Sequence, residues 1–464
     1  MNPICTVMVP HPPLIVPEIG RGQEKKIQKT IDSFKRAACF LADAQPETIV
    51  IISPHSTAYA DYFHISPGPG AKGSFAQFGA GGVRLEVEYD TALVSAISRA
   101  ADRAGIPAGT LGERDKSLDH GTLVPLYFIN EAYGGEIKAR VVRIGLSGLS
   151  YSEHYKLGIL IREASNAENR KIAVVASGDL SHRLKADGPY GYKEEGPLYD
   201  SRIMHVMGNG DFGELFDFEE VFCEAAGECG HRSFIIMAGC FDGMGVRAEK
   251  LSYEGPFGVG YGVCIFTPDA EDAKRHFLDE YEKKHRAKIN ERRQKEDEYV
   301  RLARRALETY VREGEVIPVP KDLPDEMLAK RAGVFVSLHK RGQLRGCIGT
   351  ISATTESIAR EIINNAISAG THDPRFNPVS KDELDELEYS VDVLGEIEDI
   401  SSPQELDVKR YGVIVTSGHR RGLLLSNLEG IDTVEQQIDI AKRKAGIREG
   451  EKVSLQRFEV VRHF

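Results

Sequence analysis

Short apolar runs alternate with longer amphipathic segments over the first 267 residues. The runs rich in β-branched residues predict strands at 5–9, 48–52, 139–144, 172–176 and 259–266. The segments between them predict helices at 23–44, 91–104, 153–167 and 233–242. This alternation implies an α/β layer fold built on one main sheet.

The pattern changes near residue 268. From Asp269 to about Arg305 the chain is dense in charged helix formers, and neither glycine nor proline occurs between Asp269 and Glu313. A long solvated helix is predicted there. Beyond it, strands are predicted at 333–338, 389–394 and 412–416, and helices at 355–369 and 434–445. The less regular order implies an α+β domain. The expected division is a first domain over 1–267, a charged helical connection over 268–290 and a second domain over 291–464.

Composition narrows the class. At 464 residues the chain is long enough for two or three domains. Its 41% hydrophobic and 28% charged content argue against disorder as the dominant state. A net charge of −11 argues against general nucleic-acid binding. No apolar run approaches the roughly 20 residues that cross a bilayer. The first twenty residues hold five prolines and no basic stretch, so they do not read as a signal peptide. The seven cysteines form no CxxC pair, which fits buried thiols in a reducing cytoplasm.

Three histidines follow predicted strands: His11 in VPHPP, His55 in SPHS and His182 in SGDLSH. Open α/β sheets bind ligands at the carboxyl ends of their strands, so these three point to one shared site. Pro10 and Pro54 end their strands just before the histidine and stiffen the loop. Two imidazoles and a carboxylate make a facial triad suited to Fe(II). The segment EAAGECGHRSF offers Glu228 as the third ligand, with Cys229 as a rival that would suit zinc or copper as well as iron. The competing reading has Glu228 capping the next helix and Cys229 merely buried. His182 reads as a general acid or base. Asp179 would orient it or cap a helix. His120, in LDHGTLVPLYF, opens a buried apolar helix and would bind substrate, stabilise bound oxygen or simply cap that helix.

The ordered set MVPHPP, IISPHS, DHGTLVPLYF and ASGDLSH resembles the class III (LigB-type) extradiol ring-cleavage dioxygenases and the related Memo proteins. The resemblance implies a non-haem Fe(II) site with His11 and His55 as ligands and His182 as the catalytic histidine. The family glutamate maps to Glu228, and the Memo cysteine to Cys229. It also implies a catechol-type aromatic substrate and O₂, with His120 hydrogen-bonded to the bound oxygen.

In the second domain LRGCIGT places Cys347 between two glycines beside Arg345. This reads as a tight strand turn before it reads as an activated thiol. HDPRFNPVS adds His372, Asp373 and Arg375, but spacing alone assembles no triad. LRGCIG and the downstream GLLLSNLEGIDTVEQQIDIAKRKAGI resemble the AMMECR family, which implies an α+β fold. The fusion resembles the AmmeMemoRadiSam arrangement, which implies a radical SAM protein as partner; the chain itself has no CxxxCxxC cluster motif. The expectation is a cytoplasmic iron oxidoreductase of the extradiol dioxygenase type. The alternative is a Memo-like metal protein without oxygen chemistry, working with a radical SAM partner or as a peptide-binding module. A homo-oligomer is compatible with either, and neither nucleic acid nor membrane is an expected partner.

Overall fold

A computed structural model describes residues 5–428 and 430–464. The chain divides into two compact units, 1–282 and 283–464.

The first unit is built on a six-stranded sheet. Its strands are β1 (Cys5–Val9), β2 (Thr48–Ser53), β3 (Arg140–Gly145), β4 (Ile172–Ser177), β5 (Met244–Glu254) and β6 (Tyr261–Glu271), in the order β3-β2-β4-β1-β6-β5. The first four in that order run parallel, and β6 and β5 complete the sheet antiparallel. Every residue of β1, β2 and β4 is buried. That follows from helices on both faces, which make a parallel strand apolar throughout instead of alternating.

On one face Val7, Ile49, Ile51 and Val175 pack with α1 (Gln28–Asp43) and with the helix His120–Ala132. On the other Met8, Val50, Ile52 and Val174 pack with Thr91–Ala104, Tyr151–Ala167 and His231–Gly239. These last four helices are α2 (Thr91–Ala104), α3 (His120–Ala132), α4 (Tyr151–Ala167) and α5 (His231–Gly239) in chain order. Their starts are set by side chains: Asp90 accepts the Leu93 N–H, and Ser150 with Glu153 forms a capping box.

Several elements lie outside the predicted set. A hairpin joins Gly70–Phe75 to Ala80–Glu88, and a helix covers Glu195–Asn209. β5 alternates exposed and covered positions along a sheet edge, so it lacks the apolar run that marked the other strands. The charged stretch forms two helices, α6 (Phe277–Lys295) and α7 (Glu298–Glu313), where one was predicted. No glycine or proline is needed for the break. The Asp297 carboxylate accepts the N–H groups of Tyr299 and Val300 and starts a new helix there.

The second unit carries a seven-stranded antiparallel sheet. Its strands are β7 (Val334–Lys340), β8 (Gln343–Gly349), β9 (Leu387–Leu394), β10 (Glu398–Ile400), β11 (Tyr411–Ser417), β12 (Arg420–Leu424) and β13 (Ser454–His463). The order is β8-β7-β9-β13-β11-β12, with β10 beside β13. α7 and α8 (Ile358–Thr371) cover one side of the β7–β9 region with Leu302, Leu307, Ile362 and Ile363. With α9 (Val434–Lys444) packed on β11 and β12, this is an α+β domain. Among the described residues, no helix is long and apolar enough to cross a membrane.

Candidate metal centre

β1, β4 and β2 are neighbours running the same way, so their carboxyl ends lie side by side. His11 follows β1, His55 follows β2 and His182 follows β4. His120 is the first residue of α3 and enters from the helical layer. The structure brings these histidines together. His11 Nε2 stands 3.0 Å from His55 Nε2. The His55 and His120 rings are 4.0 Å apart, and the His11 and His120 rings 5.5 Å. One ring nitrogen from each of His11, His55 and His120 lies within 4.8 Å of the others. His182 is close enough for its charge to act on His11, and its buried Nε2 has no hydrogen-bond partner among the described residues.

Hydrogen bonding fixes the state of His11. Ser177, the last residue of β4, donates its hydroxyl proton to the Gly121 carbonyl at 2.6 Å. A serine hydroxyl has one proton, so the same oxygen must accept from His11 Nδ1 at 2.9 Å. Nε2 therefore carries the lone pair, and it faces the other histidines. Burial, followed by the charges of His55, His120 and His182, holds the His11 imidazole well below its usual range. Burial and a neighbouring His55 push both His120 and His182 down to about 4. All three are neutral at pH 7, the form in which imidazole binds a metal.

The DHG triplet at the start of α3 serves the site with each of its residues. Asp119 caps the helix through the Thr122 N–H and accepts the Ser53 hydroxyl at 2.6 Å. Its other oxygen faces the buried guanidinium of Arg143 at 3.7 Å. Gly121 lets β2 come close: a Cβ there would lie 2.4 Å from Ser53 Oγ and 3.3 Å from the His55 ring. Its carbonyl is the acceptor that fixes the Ser177 hydroxyl.

Glu228 and Cys229 part company. The Glu228 carboxylate accepts the His231 N–H at 2.6 Å, at the start of α5, and among the described residues it is not grouped with the histidine nitrogens. Burial pushes that carboxyl up to about 7. Cys229 Sγ stands 3.6 Å from His11 Nε2 and accepts the Asp179 N–H at 3.3 Å. The approach depends on two glycines. A Cβ on Gly178 would lie 2.1 Å from the Gly230 Cα, so only bare backbone allows the two loops to cross. Asp179 neither orients His182 nor caps a helix; its carboxylate accepts the His11 backbone N–H at 2.7 Å.

The donor set fits a first-row metal. Two imidazole nitrogens each about 2.1 Å from one ion are about 3 Å apart at a right angle, which matches the His11–His55 separation of 3.0 Å. Iron, zinc and copper all accept such nitrogens, and Cys229 adds a thiol at the margin. Sequence reasoning missed Ser177, Ser53, Asp119 and Gly121. Their signal was a serine directly after two of the apolar runs, Ser53 and Ser177, and a cap motif directly before a histidine.

In the second unit Cys347, Asp373 and Arg375 are paired with one another, and Arg345 and His372 are bonded to other residues. The Cys347 N–H donates to Asp373 at 2.9 Å, and Asp373 holds the Arg375 guanidinium at 2.7 Å. Arg345 forks onto Glu383 at 2.9 and 3.0 Å. His372 is exposed and bonds to the Thr371 hydroxyl.

Residues 5–264 match the family described as the catalytic LigB subunit of aromatic ring-opening dioxygenase, and residues 300–463 match AMMECR1. A protein of Clostridium acetobutylicum is 43% identical over 464 residues, covering 98% of each chain. A protein of Thermotoga maritima is 53% identical over 170 residues, which is 36% of this chain and 98% of that one. The crystal structure of an uncharacterized protein from Pyrococcus horikoshii is similar at a TM-score of 0.33 and 35% identity, over 35% of this chain and 88% of that one.

Proposed function

The chain belongs to the family of the catalytic LigB subunit of aromatic ring-opening dioxygenase, followed by an AMMECR1 domain, and from that premise we propose that it is a metal-dependent oxidoreductase that opens a catechol-type ring with O₂. The observation that carries the reading is the convergence of the His11 and His55 Nε2 atoms at 3.0 Å, with His120 beside them, at the carboxyl ends of a parallel sheet. In this reading His11, His55 and His120 hold Fe(II), which when bound supplies the electron path between a chelated diol and oxygen.

The protein's own groups do the rest. Ser177 holds His11 in the tautomer whose Nε2 is free. Asp119 and Gly121 set His120 and His55 against each other. His182 is neutral at pH 7 and its Nε2 has no partner among the described residues, so it is placed to take a proton from a diol hydroxyl and return it later. The exposed side of His55 leaves the cluster open to solvent for entry of the ring.

The test is oxygen uptake by anaerobically purified protein given a panel of catechols. We expect catechol-dependent uptake and a yellow ring-opened product. His182→Ala should keep its metal and lose about 10²–10⁴-fold in rate. A metal-loaded chain that consumes no oxygen with any catechol contradicts the proposal. A second reading rests on Cys229, 3.6 Å from His11 Nε2. A thiolate there suits zinc or copper and a Memo-like centre without oxygen chemistry. Metal loss in Cys229→Ser, with no uptake by the wild type, is its signature.

A further inference from the structure

The loop after His182 holds an aromatic ring in the open without burying it. Tyr190 is 61% exposed, yet its ring rests on the His182 ring at 5.0 Å between centroids. The loop carrying it is tightly fixed. Gly188, Pro189, Tyr190 and Gly191 form a turn closed by the Gly191 N–H on the Gly188 carbonyl. Proline in the second place and glycine in the fourth are the residues this turn favours. The base of the loop is closed by a bridge between Leu184 and Tyr192 and by the Lys193 N–H on the Arg183 carbonyl. Its flank is tied to the neighbouring turn by the Leu184 N–H on the Gly258 carbonyl and by Lys185 Nζ on the Pro256 carbonyl at 2.8 Å. Gly258 and Gly188 touch so closely that a Cβ on Gly258 would lie 3.1 Å from the Gly188 Cα.

Ordering a nine-residue loop costs conformational entropy that an exposed tyrosine does not recover by burial. A second aromatic ring, Phe78, stands edge-on to His120 at 5.5 Å, so aromatic surface meets the histidine cluster at two of its members. The same His182 ring carries a buried Nε2 that has no hydrogen-bond partner among the described residues. We propose that Tyr190 is a specificity-determining wall of the site, which grips a flat phenolic ring beside His182 by aromatic contact and disfavours diols that have no planar face. The inference rests on the catechol reading above and names the residue that would select for it.

The experiment is a titration of the full-length protein, as purified and under argon, with 4-nitrocatechol followed by its own visible absorbance. Metal content is measured on the same samples. We expect Tyr190→Ala to bind about tenfold more weakly and Tyr190→Phe to stay within about twofold of wild type, all with equal metal. Equal binding by wild type and Tyr190→Ala overturns the role of Tyr190 and leaves the catechol reading standing. Metal loss in Tyr190→Ala also overturns it, because the residue would then support the ligands instead of the ring. No binding by metal-loaded wild type removes the catechol reading and this inference with it. Because Tyr190 is exposed, neither substitution leaves a cavity in the core.

Discussion

Ser177 touches no candidate ligand atom that faces the cluster, yet it decides which nitrogen of His11 is free. Ser177→Ala removes the acceptor for His11 Nδ1. We expect metal affinity to fall about 10–100-fold, the usual effect of losing such a support, when measured by competition with a chelator. Unchanged affinity would contradict the tautomer argument. The third ligand is the other residue-scale question. His120→Ala should lose the metal, whereas Glu228→Gln, which can still accept the His231 N–H, should keep it. The opposite pattern in metal analysis would restore the glutamate. The strand-end places of His11, His55 and His182 were legible because each follows an apolar run. His120 reads as a substrate- or oxygen-binding residue or a helix cap, and the approach of its ring nitrogen to those of His11 and His55 was not foreseen. It comes from another layer, and no spacing along the chain reports how α3 meets the end of β2. Glu228 looked like a ligand because carboxylates are what such sites use. Its backbone context, three residues before His231 in ECGHR, was equally that of a helix start.

At the scale of elements, the central strands could be read directly from continuous β-branched runs. The two-sided burial that wrote those runs also placed the site at their ends. β5 and the hairpin Gly70–Glu88 could not be read so, since each has one face in water and a weaker pattern. In the second unit the turn Lys381–Glu386 is tied to the sheet by Glu383, which takes the Arg345 fork from β8 and faces Lys340 of β7. Burial alone would raise this carboxyl. The Arg345 fork, the Ser380 N–H and Lys340 outweigh burial and hold it at about 2, down from 4.5. A depressed carboxyl stabilises the folded state above its unfolded value and loses that contribution as pH falls toward the folded one. The second unit should therefore lose stability between pH 4.5 and about 2. Glu383→Gln should flatten that slope in urea unfolding followed by circular dichroism. An identical slope would mean that the ion pair is too well solvated to matter.

Across the whole molecule, the two units have separate hydrophobic cores, and the histidine cluster belongs to the first. Both family assignments were legible as ordered sequence motifs. The job of the AMMECR1 domain was not, since its distinctive LRGCIG segment sits among residues already paired with each other. A metal that binds only the folded first unit should stabilise that unit alone. At a free concentration a hundredfold above its dissociation constant, this amounts to about 2.7 kcal/mol. Removing it with a chelator should lower one calorimetric transition by roughly 5–10 °C and leave the other in place. Equal shifts in both, or none, would argue against a site confined to the first unit.

His11 and His55 are proposed to aim their Nε2 atoms at one ion. The most direct measurement is metal stoichiometry by mass spectrometry on anaerobically purified wild type, His11→Ala and His55→Ala. We expect one transition metal per chain in the wild type and almost none in either variant. The same metal content in all three would contradict it.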